Sequence, residues 1–364
     1  MKRLASLAFL LIFSVAARGQ ARLETINGYR VLHVEGTPEA MGEQHGRLLR
    51  DEIRRMVEDL VGDATPLQME KAMVMERHLP ARYRRELAAL AESAGVNYER
   101  LVLAQLFGDV ARAPQCTSFA AFGEATETGE CIAGRNFDYW DSGVSAYGAV
   151  LIHMAPEGFH RFVTVSWAGI INGWTLMNER GIVVANNTGF CAADNSLEGI
   201  STCFLLRKVA EEAGTVEDGI QIVRDAPRAC GTIMLVAGGT PPDAAEIEFD
   251  HSAIAVRKAE RGVVVADNSF RLLYQEEPVG DDEWGRYGTL ISLIRENYGR
   301  INSSTNLIGA RGVPMEGINL HSAVLCPASL TIAVSMGKTP ACRYPYRWFR
   351  MTERGIVSAE QADD

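Results

Sequence analysis

Cysteine, basic charge and long apolar runs are all scarce in this sequence, and each scarcity excludes a class of protein. Seven cysteines in 364 residues are too few for a disulfide-stabilised scaffold. No two of them have zinc-type spacing and no His-x-x-x-His pair occurs, so we predict no metal site. The formal net charge of -10 argues against nucleic acid or an anionic membrane surface as a partner.

The long apolar run that is present lies at the N-terminus. Residues 4–17 follow Lys2 and Arg3, and small residues come next. This order is typical of a secretory signal peptide, and the run is too short for a comfortable membrane span. A buried N-terminal helix is the alternative, but the run is apolar on nearly all sides. We therefore expect cleavage after Ala16 or Ala21 and an exported protein, periplasmic or extracellular, without stable membrane insertion.

Secondary-structure signals divide the rest of the chain into a helical first third and a strand-rich remainder. After a strand at 29–35, helices are predicted at about 38–60, 66–77, 81–94 and 98–110, two of them opened by Thr-Pro caps. Strands are then predicted at 117–122, 131–136, 149–153, 161–166, 173–177, 181–186, 232–236, 246–249, 254–257 and 262–266. Helices at 204–213, 216–225 and 284–298 and a hairpin at 320–325 and 329–335 complete the pattern. We expect an α+β fold with two antiparallel sheets face to face and helices outside, in four layers.

The change from helices to strands falls at Cys116, which makes this cysteine a candidate nucleophile. A thiol needs a base or a lowered pKa to act as one, and histidine is the usual partner. No histidine stands in a motif that connects it to Cys116, so a Cys/His pair stays open as an alternative. The histidines are His33, His45, His78, His153, His160, His251 and His321. His45 lies between Gly42 and Gly46 on a predicted helix, which favours a packing or hydrogen-bonding role for it.

A second source of base is the backbone of Cys116 itself. If the Gln115–Cys116 bond is cut, Cys116 gains an α-amino group with a pKa of about 7.7–8.0, where a general base works well. Its own thiol could drive that cut. Arg135 and Asp138 come at the end of the next predicted strand, where a turn after Phe137 could return Asp138 to the site. An arginine there would favour thiolate, and a carboxylate could orient the amine.

Two short segments resemble the N-terminal-nucleophile hydrolases: Cys116-Thr117-Ser118 and Gly134-Arg135-Asn136-Phe137-Asp138. Among these hydrolases, the chain is similar to the isopenicillin N acyltransferase group, the autoproteolytic cysteine enzymes of peptidase family C45. The choloylglycine hydrolases are more distant relatives. The resemblance covers nearly all of the chain after the signal peptide. It implies a four-layer αββα sandwich and self-cleavage between Gln115 and Cys116, although those acyltransferases have Gly before the nucleophile.

The resemblance also implies roles for the residues around the predicted cleavage point. Cys116 matches the family's nucleophile. Asp138 matches the acidic residue that contacts the amino group of that nucleophile. Arg135 matches an arginine found at this position in the choloylglycine hydrolases.

Three further catalytic residues are implied by later segments. Asn187 matches the oxyanion-hole asparagine at the end of a strand, with Asn186 as the alternative register. Asn268 matches a second asparagine of the family. Arg286 matches an arginine at the start of a late helix. An oxyanion hole needs hydrogen-bond donors aimed at the tetrahedral oxygen, and side-chain amides supply them.

These observations define an expected domain plan. Residues 1–21 form the signal peptide, residues 22–115 a helical α chain, and residues 116–364 a strand-rich β chain. Residues 22–364 together form one domain, so self-cleavage would produce an α/β heterodimer. Two cysteine pairs, Cys191/Cys203 and Cys326/Cys342, are the first candidates for disulfides.

The predicted function is cleavage of a linear amide in a small-molecule or peptide-like substrate. Cys116 would form a thioester acyl-enzyme, resolved by water or by an amine, without a cofactor. Hydrolysis is favoured over acyl transfer because an exported enzyme has little access to coenzyme A thioesters. Two alternatives stay open. One is a thiol hydrolase that uses Cys116 and a histidine without self-cleavage, and the other is a non-catalytic binding protein that kept the fold.

Overall fold

The computed structural model describes residues 21–111, 115–190, 194–274, 285–303 and 306–360. Its helices are α1 (Pro38–Leu48), α2 (Arg50–Val61), α3 (Pro66–Glu76), α4 (Ala81–Ala94), α5 (Tyr98–Ala111), α6 (Val144–Gly148), α7 (Thr202–Glu212), α8 (Val216–Asp225) and α9 (Gly285–Asn297). Its strands are β1 (Arg22–Ile26), β2 (Tyr29–Gly36), β3 (Gln115–Ala121), β4 (Ile132–Asp138), β5 (Ala149–Pro156), β6 (Phe162–Trp167), β7 (Thr175–Asn178), β8 (Ile182–Thr188), β9 (Thr232–Gly238), β10 (Asp243–Phe249), β11 (Ile254–Lys258), β12 (Val263–Ala266), β13 (Asn319–Cys326), β14 (Thr331–Met336), β15 (Arg347–Thr352) and β16 (Gly355–Ser358).

Within the described residues the strands form two sheets. The first has nine strands in the order β1-β2-β5-β6-β7-β8-β9-β10-β11, and the second has seven in the order β12-β3-β4-β13-β14-β15-β16. Every neighbouring pair is antiparallel except β2 and β5, which run parallel. The prediction of two mainly antiparallel sheets is confirmed. The β2–β5 pair is the one parallel pair among the described strands, because the chain passes through α1–α5, β3 and β4 before it returns beside β2.

Three apolar clusters show that the elements stack in four layers. One cluster joins the helices of the first third, together with α7 and α8, to the outer face of the nine-stranded sheet. A second lies between the two sheets, where Leu151 and Val183 of one sheet meet Ala323 and Val334 of the other. The third packs α9 on the far face of the seven-stranded sheet through Leu290. The predicted helix–sheet–sheet–helix order is thereby confirmed.

Local sequence signals account for many of the helix ends. The Thr37 hydroxyl caps α1 by accepting from the backbone N–H of Ala40. Thr65 and Gln68 form a reciprocal capping box at α3, which stabilises a helix start by satisfying free N–H groups. Gly95 ends α4 in the left-handed conformation with φ of 69°, where glycine has no Cβ penalty.

Two details differ from the helix and strand predictions. The single helix predicted over 38–60 is two helices, because Leu49 leaves the helical conformation with φ of -124° and is fully buried. Strands β1, β15 and β16 and the short helix α6 carry too weak a pattern to be predicted. Strand β15, for example, places arginine at exposed positions between buried ones.

The cysteine pairings have different outcomes. Cys342 carries a free thiol, so the predicted Cys326–Cys342 disulfide is wrong. The backbone N–H of Cys342 donates to the side chain of Asn319, the first residue of β13. Cys326 is the last residue of the same strand. At ~3.3 Å per residue, it lies about 23 Å from Asn319 and so from Cys342. A disulfide requires Cα atoms within about 7 Å of each other. Cys191 lies outside the described residues, as does the predicted signal peptide up to residue 20.

In the part of the chain that the structure describes, every helix is too short or too polar to cross a membrane.

Candidate active site

Cys116 lies near the start of β3, in the interior of the molecule. Its side chain is fully buried, and it points to the face of the seven-stranded sheet that meets the other sheet, as Ser118 and Ala120 do. The Nη2 atom of Arg135 donates a hydrogen bond to the Cys116 Sγ at 3.0 Å. Arg135 comes from β4, where it is paired with Ser118, and Cys116 itself is paired with Phe137. The two strands therefore bring the predicted nucleophile and the predicted arginine together.

The backbone of Cys116 is bound by two other predicted residues. The Cys116 N–H donates to Asn268 Oδ1 at 3.0 Å, and the Asn268 amide in turn donates to the Thr188 carbonyl at 2.8 Å. Arg286, near the start of α9, donates to the Cys116 carbonyl at 2.8 Å and to Asn268 Oδ1 at 2.8 Å. Arg286 also reaches Gln115 Oε1 at 3.3 Å. Its side chain is largely buried against the start of β3 and Asn268.

Asp138 lies on the opposite face of β4 from Arg135. Its Oδ1 accepts from Asn319 Nδ2 at 2.8 Å, and its Oδ2 accepts from the backbone N–H of Met315 at 3.0 Å. The Nη1 of Arg286 lies 3.5 Å from Oδ2. Burial raises the pKa of Asp138, and the hydrogen bonds from Asn319 and Met315 oppose that effect. In the intact chain, the Cys116 N–H is bound by Asn268 and not by this carboxylate.

Alternation along β8 separates the two candidate oxyanion-hole asparagines. Val183 and Ala185 face the core between the sheets, and Asn187 continues that face, where its Nδ2 donates to Ser118 Oγ at 3.0 Å. Asn186 lies on the opposite face of β8, together with Val184, which packs against the helices. Asn187 therefore faces the layer between the sheets, beside Ser118 of the strand that carries Cys116. The carbonyl of Asn186 also contributes, because it accepts from Arg135 at 3.1 Å.

Opposing effects act on the pKa of Cys116. Burial raises the pKa of the thiol, and it is the largest effect; the charge of Arg135 lowers it, Asp138 raises it and Arg286 lowers it. A hydrogen bond from the Asp138 backbone N–H also lowers it. In the intact chain the thiol is therefore the favoured form, and the site holds positive charge ready for a thiolate.

Sequence reasoning missed a histidine at this site. His321 on β13 is fully buried, and its Nε2 lies 3.1 Å from Arg135 Nη1 and 2.8 Å from Thr175 Oγ1. Its ring stacks on Phe137 with centroids 5.4 Å apart. His321 thus contacts Arg135 and not the Cys116 sulfur, so the structure does not form a direct Cys/His pair.

Asn319 and Thr175 were missed with His321. A signal for two of these residues was present in the sequence, because Asn319 and His321 interrupt an apolar strand with polar side chains at alternate positions. A polar group in a fully buried strand needs a partner. The sequence does not say which partner, since Arg135 and Thr175 come from distant strands.

An apolar cavity of about 270 Å³ opens beside the site. Six aromatic side chains line it, together with aliphatic residues of α2 and α5: Phe107, Phe137, Tyr139, Trp140, Trp167 and Trp174. Trp140 is 72% exposed and stands at the cavity mouth. Because Phe137 is paired with Cys116 across β3 and β4, the inner wall of the cavity adjoins the nucleophile.

The predicted packing or hydrogen-bonding role of His45 is confirmed. His45 is fully buried on α1, and its Nε2 accepts from the backbone N–H of Gly169 at 3.0 Å. Burial lowers its pKa to about 3, which keeps the ring neutral. Among the described residues there is no group of three or more His, Cys, Asp or Glu side chains placed to hold a metal ion.

Comparison with known proteins places this geometry in context. A family model described as acyl-coenzyme A:6-aminopenicillanic acid acyl-transferase matches residues 125–337, more than half of the chain. The matched part contains Arg135, Asp138, Asn187, Asn268 and Arg286. It begins after Cys116, so the role of this cysteine rests on the contacts described above.

Individual relatives are distant. An uncharacterized protein of Archaeoglobus fulgidus is 26% identical over 339 residues, covering 76% of this chain. The chain spans only 52–60% of the length of that protein and of two curated relatives from Dictyostelium discoideum. The 40 kDa form of an Emericella nidulans acyl-coenzyme A:6-aminopenicillanic-acid-acyltransferase is 23% identical, over 72% of this chain and 77% of its own. Among solved structures, a Caenorhabditis elegans orthologue of N-acylethanolamine-hydrolyzing acid amidase has a TM-score of 0.47 and 16% identity, covering 67% of this chain and all of that one.

Proposed function

This chain belongs to the acyl-coenzyme A:6-aminopenicillanic acid acyl-transferase family, and on that premise we propose that it is a self-processing cysteine amidase. Cleavage of the Gln115–Cys116 bond would free the amine of Cys116, and Cys116 would then cleave linear amides. The observation that carries the proposal is the set of contacts on one residue. Arg135 binds the sulfur of Cys116, Asn268 binds its N–H, and Arg286 binds its carbonyl.

The proposed chemistry uses the α-amino group as the base. That amine takes the thiol proton as Sγ attacks the substrate carbonyl, and Arg135 stabilises the developing thiolate by its charge. The Asn187 amide would stabilise the tetrahedral oxyanion. When the intermediate collapses, the ammonium returns the proton to the leaving nitrogen, and the C–N bond breaks to leave a thioester on Cys116. Attack by water, with its proton passing to the amine, then releases a carboxylic acid and regenerates the thiol.

Asn268 fits the position such an amine would need. Its Oδ1 already accepts from the Cys116 nitrogen at 3.0 Å, and Arg286 donates to the same oxygen. Since Asn268 Oδ1 is an acceptor, it would orient the amine through one N–H and leave the nitrogen lone pair free for the thiol proton. Arg286 also places a positive charge near the amine, which favours its neutral, basic form.

The aromatic cavity favours a substrate whose acyl group is apolar and binds in this cavity. Apolar pockets gain affinity from the area that a ligand buries, and this pocket adjoins Cys116 through Phe137. We propose that the protein is exported, because residues 1–21 have the pattern of a signal peptide, and that it therefore favours hydrolysis over acyl transfer. An exported enzyme has water as its abundant acceptor.

Intact mass and turnover test the proposal together. Purified full-length protein should yield a larger fragment that begins at Cys116 and contains 249 residues, from 364 − 116 + 1. The processed protein should release free acid from at least one class among N-acyl amino acids, penicillins and bile-salt amides. Cys116→Ala should stay whole and inactive. Cys131→Ala, which removes another buried cysteine, should be processed like the wild type. An uncut wild-type chain that still cleaves amides would contradict the proposal.

A further inference from the structure

We infer that His321 is a positioning residue that holds the Arg135 guanidinium against the sulfur of Cys116. Arg135 Nη1 lies 3.1 Å from His321 Nε2, and the neighbouring Nη2 lies 3.0 Å from the Cys116 Sγ. The two nitrogens belong to one planar group, so fixing the first fixes the second. The inference rests on the proposed function in one respect, namely that Cys116 is the nucleophile.

The hydrogen-bond chemistry defines the form of His321. A guanidinium donates and never accepts, so Nε2 of His321 has to be the acceptor in this pair. The Thr175 hydroxyl, 2.8 Å from the same nitrogen, must then donate to it as well. We therefore assign the ring proton to Nδ1, a buried atom without a hydrogen-bond partner among the described residues, and the ring as neutral. Burial and the charge of Arg135 hold the pKa of His321 well below its usual value, in agreement with this form.

Packing also restricts the His321 ring. His321 is fully buried and stacks on Phe137 at an interplanar angle of 14°, and Trp167 lies on it with centroids 5.8 Å apart. Arg135 itself lies over the Phe137 ring at 4.7 Å. The ring and the guanidinium therefore share one aromatic support, which restricts the motion of both.

A neutral acceptor leaves the charge of Arg135 available to the sulfur. Among the described residues, the acceptors of Arg135 are the Cys116 Sγ, the Asn186 carbonyl and His321. None of these is a carboxylate. A carboxylate in place of His321 would form an ion pair with the guanidinium and weaken its effect on the thiol. The other charged groups that act on the Cys116 thiol are Asp138 on the same strand as Arg135 and Arg286 on α9.

Titration of the Cys116 thiolate tests this role directly. The ultraviolet absorbance of the thiolate is followed against pH in the full-length protein, and the curve of the matched Cys116→Ala protein is subtracted. His321→Gln keeps a neutral acceptor and should titrate close to the wild type. His321→Leu removes the acceptor and should lower the thiolate fraction at neutral pH by about tenfold, one pKa unit. Thr175→Val, which leaves the ring acceptor in place, should have a smaller effect of the same sign.

A double-mutant cycle shows whether His321 acts through Arg135. In an Arg135→Met background, His321→Leu should cause no further change in the titration, because the group that it positions is gone. Intact mass shows whether each sample is cut or uncut. The thiolate titration curves are then compared only between samples in the same form. A His321→Leu chain that stays whole is compared with wild-type chain captured before processing.

Two outcomes would overturn the inference. The first is a His321→Leu protein that is folded by circular dichroism and titrates like the wild type. The second is an equal effect of His321→Leu with and without Arg135. If instead the titration responds as expected but no amide is cleaved, the proposed function fails while the positioning role stands.

Discussion

At Cys116, burial and charge act against each other on one thiol. Burial in an apolar layer favours the neutral thiol, whereas Arg135 and Arg286 favour the thiolate. A fully buried nucleophile with a raised pKa would be inert. The nearby arginines and the α-amine that processing would supply are what make catalysis by this residue feasible. The site thus depends on the identities of a few side chains more than on its general surroundings.

The two adjacent asparagines of β8 give a matched test at the residue scale. Asn187→Ala should lower kcat by about a hundredfold, the usual cost of losing one oxyanion-hole donor. Asn186→Ala should cost much less, because Asn186 contributes its carbonyl to Arg135 and that carbonyl remains. The measurement is steady-state kinetics on whichever of the N-acyl amino acids, penicillins or bile-salt amides the processed protein cleaves. Equal losses in the two variants, or a larger loss for Asn186→Ala, would reverse the assignment.

Among the secondary elements, α4 and α7 are joined by a buried group of charges. Arg207 of α7 donates to Glu86 of α4 at 2.7 Å and to Glu211 at 2.8 Å. The Tyr83 hydroxyl of α4 donates to Glu211 at 2.7 Å. Helix α4 precedes the predicted cut and α7 follows it, so this cluster binds the helical segment 22–115 to the segment 116–364.

Removing the central arginine should destabilise the fold strongly. Arg207→Leu leaves Glu86 buried without its cation, while Glu211 keeps only Arg82. Breaking a buried ion pair in this way typically costs about 3–5 kcal/mol. Urea unfolding in the uncut Cys116→Ala background measures the free energy of unfolding of one continuous chain. Arg85→Ala on α4, the helix of Glu86, is the control, since its ion pair with Glu39 is about half exposed and should contribute less than about 1 kcal/mol. Similar losses in both variants would contradict a special role for the buried cluster.

At the scale of the whole molecule, the two segments share one sheet. Strands β1 and β2 come from segment 22–115, and β2 pairs in parallel with β5 of segment 116–364. Val31 and Leu32 of β2 are fully buried in different cores, one on each face of the sheet. Cutting the chain before Cys116 would leave these contacts intact.

We therefore expect the processed fragments to remain one particle. They should co-elute in size-exclusion chromatography under native conditions and separate in a denaturing gel. The Cys116→Ala protein should elute at the same volume but give a single band. Separation of the fragments in native buffer would show that the shared sheet does not hold them together.

Sequence patterns alone determined most of the helices and strands, whereas the αββα layer order was implied by the family resemblance. Helices α4 and α8 begin and end at the predicted residues, and the hairpin of β13 and β14 was also predicted. Local patterns succeed here because caps, turns and amphipathic faces depend on residues a few positions apart. They failed at the parallel β2–β5 pair, at Leu49 and at the Cys326–Cys342 bond, each of which depends on distant parts of the chain.

The six predicted catalytic residues came from short motifs, and the structure decided how they meet. Asn268 and Arg286 bind the backbone of Cys116. Asn187 faces the layer between the sheets, beside Ser118. Asp138 and Arg135 lie on opposite faces of β4. Only the tertiary structure could reveal the partners of His321, because Arg135 and Thr175 lie on strands that are far from it in sequence. Residue types carry chemical capacity, but a hydrogen bond exists only where the packing of sheets brings donor and acceptor to within about 3 Å.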